Sequence, residues 1–413
     1  MVTDLPASEL QMCWRRNNII FQETNVMENL ICTMMELIAS EVCGMTIDRS
    51  QYELTDEDLA KLYTLSKSHD LAHLAGDALI KNSLIGNGEI KAKFQNQMML
   101  AVYRYEKINY ELNRLCETLN EVKIPFIPLK GSVIRQYYPK PWMRTSCDID
   151  VLVHESDLER AVAMLVDKLA YKRESKGSHD ISLFSNYGVH LELHYSLIEE
   201  NRVGNIESVL QDVWKKADHV AETFEYVLSD EMFYYYHIAH MAKHFVYGGC
   251  GVRPFLDLWV LNYRAPFYQD KRSAILAEGG LLTFTAEAKA LSEVWFGNAE
   301  HTDITRRMQD YLLKGGVYGT TKNRVSVQQV KHGGKFRYAI SRIWLPYDTL
   351  KFHYPSLVGK RVLLPFYEVR RWFKLLFGGG VKRSVNELRL NSSATNEEQT
   401  ETKEMLSKLE IDH

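Results

Sequence analysis

The stretch RTSCDIDVLVHE, Arg144 to Glu155, decides how the rest of the chain is read. Ile149, Val151, Leu152 and Val153 are strand formers, whereas aspartate is depleted from strands. Side chains alternate faces along a strand, so Asp148 and Asp150 point the same way, about 6–7 Å apart. Two carboxylates on one face repel each other unless a cation lies between them. A divalent metal would solve that problem.

Working outward, IPFIPLK upstream reads as a short strand, and Pro125 and Pro128 place it at an edge or an irregular start. GSVIRQYY then opens a short helix that PKP must end. Downstream, SDLERAVAMLVDKLAYK reads as a helix capped by Ser156 or Asp157. DISLFSN and VHLELHY read as antiparallel strands joined around Tyr187-Gly188. The resulting β-α-β-α-β-β run, about 124–198, is a small α+β unit. In HLELHY, Leu191 and Leu193 face one side and His190, Glu192 and His194 the other. Glu192 therefore joins the two aspartates if its strand neighbours theirs. Three such carboxylates suit two Mg²⁺ ions about 3.5–4 Å apart, with Mn²⁺ as the alternative hard cation. Gly131-Ser132, where strand passes to helix, offers close backbone approach and free N–H groups to phosphate, although strand-to-helix turns commonly need such residues anyway.

The remaining sequence divides around that unit, 121–202. Residues 1–120 read as helical, including TDED, where Thr55 and Asp58 form a capping-box pattern. Residues 203–320 are again helical, with DEMFYYYHIAHMAKHFVY broken by GGCGVRP. Residues 321–390 are basic and rich in aromatics, and 391–413 form a polar tail expected to be disordered or a loose helix. A net charge of −3 argues against general nucleic-acid binding, but 322–389 carries fifteen lysines and arginines against Asp348, Glu368 and Glu387. Its LLPFYEVRRWFKLLFGGG run fits a basic amphipathic helix, suited to weak contact with anionic membrane or nucleic-acid phosphate. The plainer reading is a helix packed on its domain with solvated charges. Six scattered cysteines without a CxxC pair point to reduced thiols. The N-terminus does not resemble a signal peptide, and no apolar run approaches the ~18–20 residues of a membrane span, so a cytoplasmic protein is expected. His237, His240 and His244 form one helical stripe, better explained by packing beside Tyr234–Tyr236 than by zinc.

Taken together, LKGS, RTSCDIDVLV and VHLELHY resemble the nucleotidyltransferase superfamily with a DNA-polymerase-β-like catalytic fold. More narrowly, PLKG, R-x-S-x-DIDVLV, LELHY, AKH and GVRPFLDL resemble a bacterial group described as an uncharacterised nucleotidyltransferase family, over roughly 60–365. The resemblance implies a small mixed sheet flanked by helical regions, with Asp148, Asp150 and Glu192 holding Mg²⁺ (or Mn²⁺). It further implies that Gly131 and Ser132 cradle the phosphates of an NTP donor. Lys130 and Arg144 flank that site, and Lys243, in AKH, would reach a phosphate from the helical region, with Arg253 and Asp257 on the same surface; for Arg144, Lys243, Arg253 and Asp257 an ion-pair role is equally open. The chain departs from many relatives in having one glycine, in Lys130-Gly131-Ser132, and a glutamate as third acid.

The implied activity is transfer of NMP from an NTP to an acceptor hydroxyl with release of pyrophosphate. Neither the acceptor nor the base of the NTP is legible, and oligomeric state is equally unread. The alternative is a non-catalytic nucleotide-binding or antitoxin-like partner-binding module of the same fold; retention of all three acids favours the enzyme. On this reading Asp150→Asn abolishes turnover and leaves the unfolding midpoint nearly unchanged.

Overall fold

The computed structural model describes residues 24–199, 203–313, 359–377 and 396–411, with separate positions between 325 and 357. The chain forms two compact units, Met1–Lys243 with Val252–Gln309, and His244–Gly251 with Asp310–His413.

The first unit opens with α1 (Thr24–Val42), α2 (Asp56–Ser68), α3 (Ala72–Lys81) and the long α4 (Glu89–Glu121). The capping box at α2 is present: the Asp58 amide donates to Thr55 Oγ1, and the Thr55 amide donates to the Asp58 carboxylate. Next come β1 (Phe126–Pro128), α5 (Gly131–Ile134), β2 (Asp148–Val153), α6 (Leu158–Leu169), β3 (Lys172–Lys176), β4 (Asp180–Phe184) and β5 (His190–His194). The five strands form one mixed sheet in the order β1-β2-β5-β4-β3. Only β2 and β5 pair in parallel, in the register Asp148↔His190, Asp150↔Glu192 and Leu152↔His194. The proline-flanked β1 lies at the edge, where a missing N–H costs no ladder bond.

Ile149, Val151 and Val153 of β2 and Leu191 and Leu193 of β5 face one side, packing against Ile108, Leu115 and Leu119 of α4 and Leu158, Val162 and Leu165 of α6. Each buried side chain of this size contributes roughly 1.5–3 kcal/mol. A one-residue slip would turn that set outward and bury the acids against helices, so the core fixes which face carries them.

The sequence does not announce β3. Its residues KRESK are all exposed, without apolar alternation, and they become a strand by pairing with β4 at the sheet edge. A lysine-rich edge also discourages pairing with other chains. A hairpin of β6 (Ala217–His219) and β7 (Tyr226–Leu228) is likewise unmarked by periodicity; the Phe126 amide donates to the Phe224 carbonyl beside it. Between β5 and the hairpin lies α7 (Ile206–Leu210); after it follow α8 (Asp230–Val246), α9 (Arg253–Tyr263), α10 (Gln269–Glu278), α11 (Leu282–Phe296) and α12 (Asp303–Leu313).

In the second unit, a helix spans Leu364–Phe377 and another Asn396–Lys408. The latter falls in the tail whose polar composition points to disorder or a loose helix. Met405, Leu406, Leu409 and Ile411, gathered at its end, are all buried. Among the described residues no helix is long and apolar enough to cross a membrane.

Candidate active site

The acids converge because β2 and β5 are parallel neighbours. Residues paired in a parallel register project to the same face, so Glu192 stands beside Asp150 and His190 beside Asp148. Ligand atoms of Asp148, His190 and Glu192 all lie within 4.8 Å of one another, as do those of Asp150, Glu192 and His194. Glu192 belongs to both sets.

Two cationic or hydrogen-donating groups hold this cluster. Lys130 Nζ donates to Asp150 Oδ1 at 2.7 Å and lies 3.8 Å from Glu192 Oε2. His194 Nε2 is 3.0 Å from the same Asp150 oxygen and 3.5 Å from Glu192 Oε2. Burial alone would raise the Asp150 carboxyl, but the Lys130 ammonium and His194 outweigh it and hold Asp150 well below the usual carboxylate range. For Asp148 the balance is reversed: burial and the like charge of Asp150 push it up despite the pull of Lys130 and Arg144. Hydrogen bonding from His194 leads in lowering Glu192. On the outer side Ser182 Oγ lies 2.6 Å from His190 Nε2.

Lys130 reaches the acids from an unusual backbone posture. The Ser132 amide donates to the Leu129 carbonyl, closing a turn whose second residue, Lys130, has φ +45° and ψ −120°. That is the type II′ position where glycine is preferred, and a lysine there costs on the order of 1–3 kcal/mol. The single glycine follows at Gly131, where a Cβ would lie 3.0 Å from Arg144 Nη1 and 3.3 Å from Ser146 Cβ. Arg135 ties the two segments together, donating to the Gly131 carbonyl and to Ser146 Oγ. Ser132 Oγ is buried with no hydrogen-bond partner among the described residues.

The other expected residues take different places. Arg144 forms a two-pronged ion pair with Asp257, at 3.1 and 2.8 Å, and Tyr138 donates to the same carboxylate at 2.7 Å. Its guanidinium thus lies close beside Gly131 while bound to α9. Arg253 lies 3.3 Å from Asp70, which also accepts from Thr145 Oγ1. Lys243 is ion-paired with Glu199, and His240 Nδ1 is 3.9 Å from Glu199 Oε1. Burial and the nearby Lys130 charge push Lys243 down to about 8. His237 Nε2 donates to the Pro254 carbonyl, and the His237/His240/His244 stripe is not among the metal-capable clusters of the described residues.

The alternation in HLELH places His190 and His194 beside Glu192, so their presence at the site was visible in the sequence. Lys130 as a cation between the carboxylates was not, because its posture depends on a positive φ. Arg135 gave no signal at all.

The donor set suits a divalent cation. Carboxylate oxygens are the hard ligands of Mg²⁺ and Mn²⁺, and a protein cation already stands where two of them converge. A small mixed sheet carrying such acids, with helical regions on either side, is the architecture of a nucleotidyltransferase. The chain matches the family described as "Uncharacterised nucleotidyltransferase" over residues 55–297, more than half its length, and belongs to it. No curated protein and no solved structure matches it.

Proposed function

We propose that this protein is a Mg²⁺- or Mn²⁺-dependent nucleotidyltransferase that moves NMP from an NTP to an acceptor hydroxyl. The observation that carries this reading is the convergence of Asp148, Asp150 and Glu192 through the parallel β2–β5 register, with Glu192 shared between two metal-capable clusters. In the reaction the acceptor oxygen forms a bond to the α-phosphorus, the bond from that phosphorus to the bridging oxygen breaks, and pyrophosphate leaves. Asp148, Asp150 and Glu192 would hold the metal, which when bound supplies electrostatic stabilisation of the attacking and leaving oxygens. His194 fixes the orientation of Asp150 and Glu192. Glu192 would take the acceptor's proton once the hydroxyl comes within about 3 Å of it. The Gly131–Ser132 turn, braced by Arg135 and with Arg144 close beside it, would receive phosphate, and the unpartnered Ser132 hydroxyl supports that role.

A thermal-shift screen of ATP, CTP, GTP and UTP, each with and without Mg²⁺, tests the reading. A ligand at a hundredfold excess over Kd adds about 2.7 kcal/mol to apparent stability. A Mg²⁺-dependent shift with one nucleotide, absent in Asp148→Asn, is expected and would name the donor. No shift with any NTP would move the protein to the non-catalytic, partner-binding alternative.

For the second unit we propose contact with an anionic membrane surface. On Leu364–Phe377 and the turn before it, Val362, Phe366, Val369 and Phe373 follow helical spacing and are exposed at 92, 65, 54 and 57%. An exposed apolar stripe within a segment of strongly positive charge complements an anionic bilayer. Cosedimentation with phosphatidylcholine vesicles containing phosphatidylglycerol is expected and should be lost in Phe366→Ser/Phe373→Ser. Absence of binding overturns it, and salt-sensitive RNA binding indifferent to those substitutions would replace the membrane with nucleic acid.

A further inference from the structure

Among the carboxylates of β2 and β5, the Lys130 ammonium has the position expected of a cation, not of a phosphate ligand. It is 2.7 Å from Asp150 Oδ1 and 3.8 Å from Glu192 Oε2, and its side chain is largely withdrawn from solvent. Tyr236 and His240 lie close enough to interact electrostatically with Lys130, Asp150 and Glu192. Burial and the positive charge of Lys130 push His240 down to about 3, so it adds no competing cation at neutral pH. Lys130 and His194 together thus offset the acids that would otherwise repel one another.

We propose that Lys130 is a resident counter-ion that exchanges with the catalytic metal: its ammonium neutralises Asp150 and Glu192 in the metal-free protein and leaves them when a divalent cation binds. This rests on the metal reading of the same site. The reason is electrostatic exclusion. A metal ligated by Asp150 and Glu192 competes with Lys130 for the same two carboxylates, and a single positive charge held against a divalent one at such range is strongly unfavourable. His194 differs, because an imidazole, unlike an ammonium, keeps an N–H donor for Asp150 without having to carry a charge beside a bound metal. The flexible four-carbon stem lets the ammonium leave without moving the strand. Its Cα belongs to the Leu129–Ser132 turn, so the released charge remains beside the turn assigned to phosphate. One side chain thereby opposes binding of metal alone and favours binding of metal together with a nucleotide's phosphates.

The exchange is tested without turnover. Free Mn²⁺ is titrated against the nucleotide-free protein and read by electron paramagnetic resonance, comparing wild type with Lys130→Met. Removing the competitor should tighten Mn²⁺ binding by about tenfold or more, corresponding to a tenfold change per 1.4 kcal/mol. The midpoint of thermal unfolding of the variant should fall in chelator and recover with Mn²⁺, more than that of wild type. Should Lys130→Met fail to fold, a measurement on the wild type decides. Reductive methylation of lysines, read by mass spectrometry, should label Lys130 several-fold faster with Mn²⁺ than with chelator. Equal or weaker Mn²⁺ binding by the folded variant, or a Lys130 labelling rate that Mn²⁺ leaves unchanged, overturns the exchange while the metal site stands. If neither protein binds Mn²⁺, the metal reading itself falls and the exchange with it.

Discussion

The β2–β5 face and the helix Leu364–Phe377 both interrupt apolar sequence with charge, yet the charges do opposite things. On the sheet, Asp150, Glu192, Lys130 and His194 lie within 4 Å of a partner of the other kind, and Asp150 is 3% exposed. On the helix, Glu368 is buried and engaged by Arg371 and the Leu345 amide, whereas the apolar stripe through Phe366 and Phe373 is left outside. In the first region burial makes each charge dependent on its neighbour. In the second, apart from the Glu368–Arg371 pair, the exposed basic residues are screened by water and act only collectively. The lesson is that a charged residue's meaning follows from its surroundings more than from its type.

The sharpest way to break this comparison is Asp148→Asn. Loss of one metal ligand should cut turnover by about a thousandfold or more, since such electrostatic stabilisation is worth several kcal/mol. Burial and repulsion from Asp150 raise the Asp148 carboxyl, so its charge costs the metal-free fold, and the unfolding midpoint should stay level or rise. Initial rates and thermal melts in chelator check both halves. Asp150→Asn is different from what its sequence position implies. It should also abolish turnover, but because Asp150 compensates the partly buried Lys130, the midpoint should fall rather than remain unchanged.

Next in size is the Arg144–Asp257 pair, in which Asp257 is buried and Arg144 partly so. Asp257→Ala leaves the guanidinium uncompensated and should cost about 3–5 kcal/mol, measured by denaturant unfolding. The same pair sets an acid limit. Burial opposes the Asp257 charge, but Arg144 outweighs it and holds the carboxyl low. A depressed folded pKa contributes stability above the unfolded value of about 3.9 and loses it as pH falls through the folded one. The wild-type midpoint should therefore drop below about pH 4, and the Asp257→Asn midpoint should drop less over that range. The smallest effect is expected on the exposed helix, where Phe366→Ser/Phe373→Ser should change stability by no more than about 0.5 kcal/mol per site. A large loss there would mean the stripe is part of a core.

Much of the site was legible because strand alternation is a local rule. It puts Asp148 with Asp150, and Glu192 with His190 and His194, whatever the rest of the chain does. The capping box at Thr55 and the edge position of the proline-flanked β1 follow from equally local chemistry. The all-polar β3 was not legible, since it is a strand only by virtue of its partner.

Sequence alone thus determined which acids share a face and which segments could carry them, because backbone geometry fixes side-chain direction within an element. Tertiary structure decided that β2 and β5 are parallel neighbours with Asp150 opposite Glu192, and that Lys130 turns into them while Arg144 turns to Asp257. These are choices among distant partners, settled by burial of the α4–α6 core and by the need of every buried charge for an opposite one.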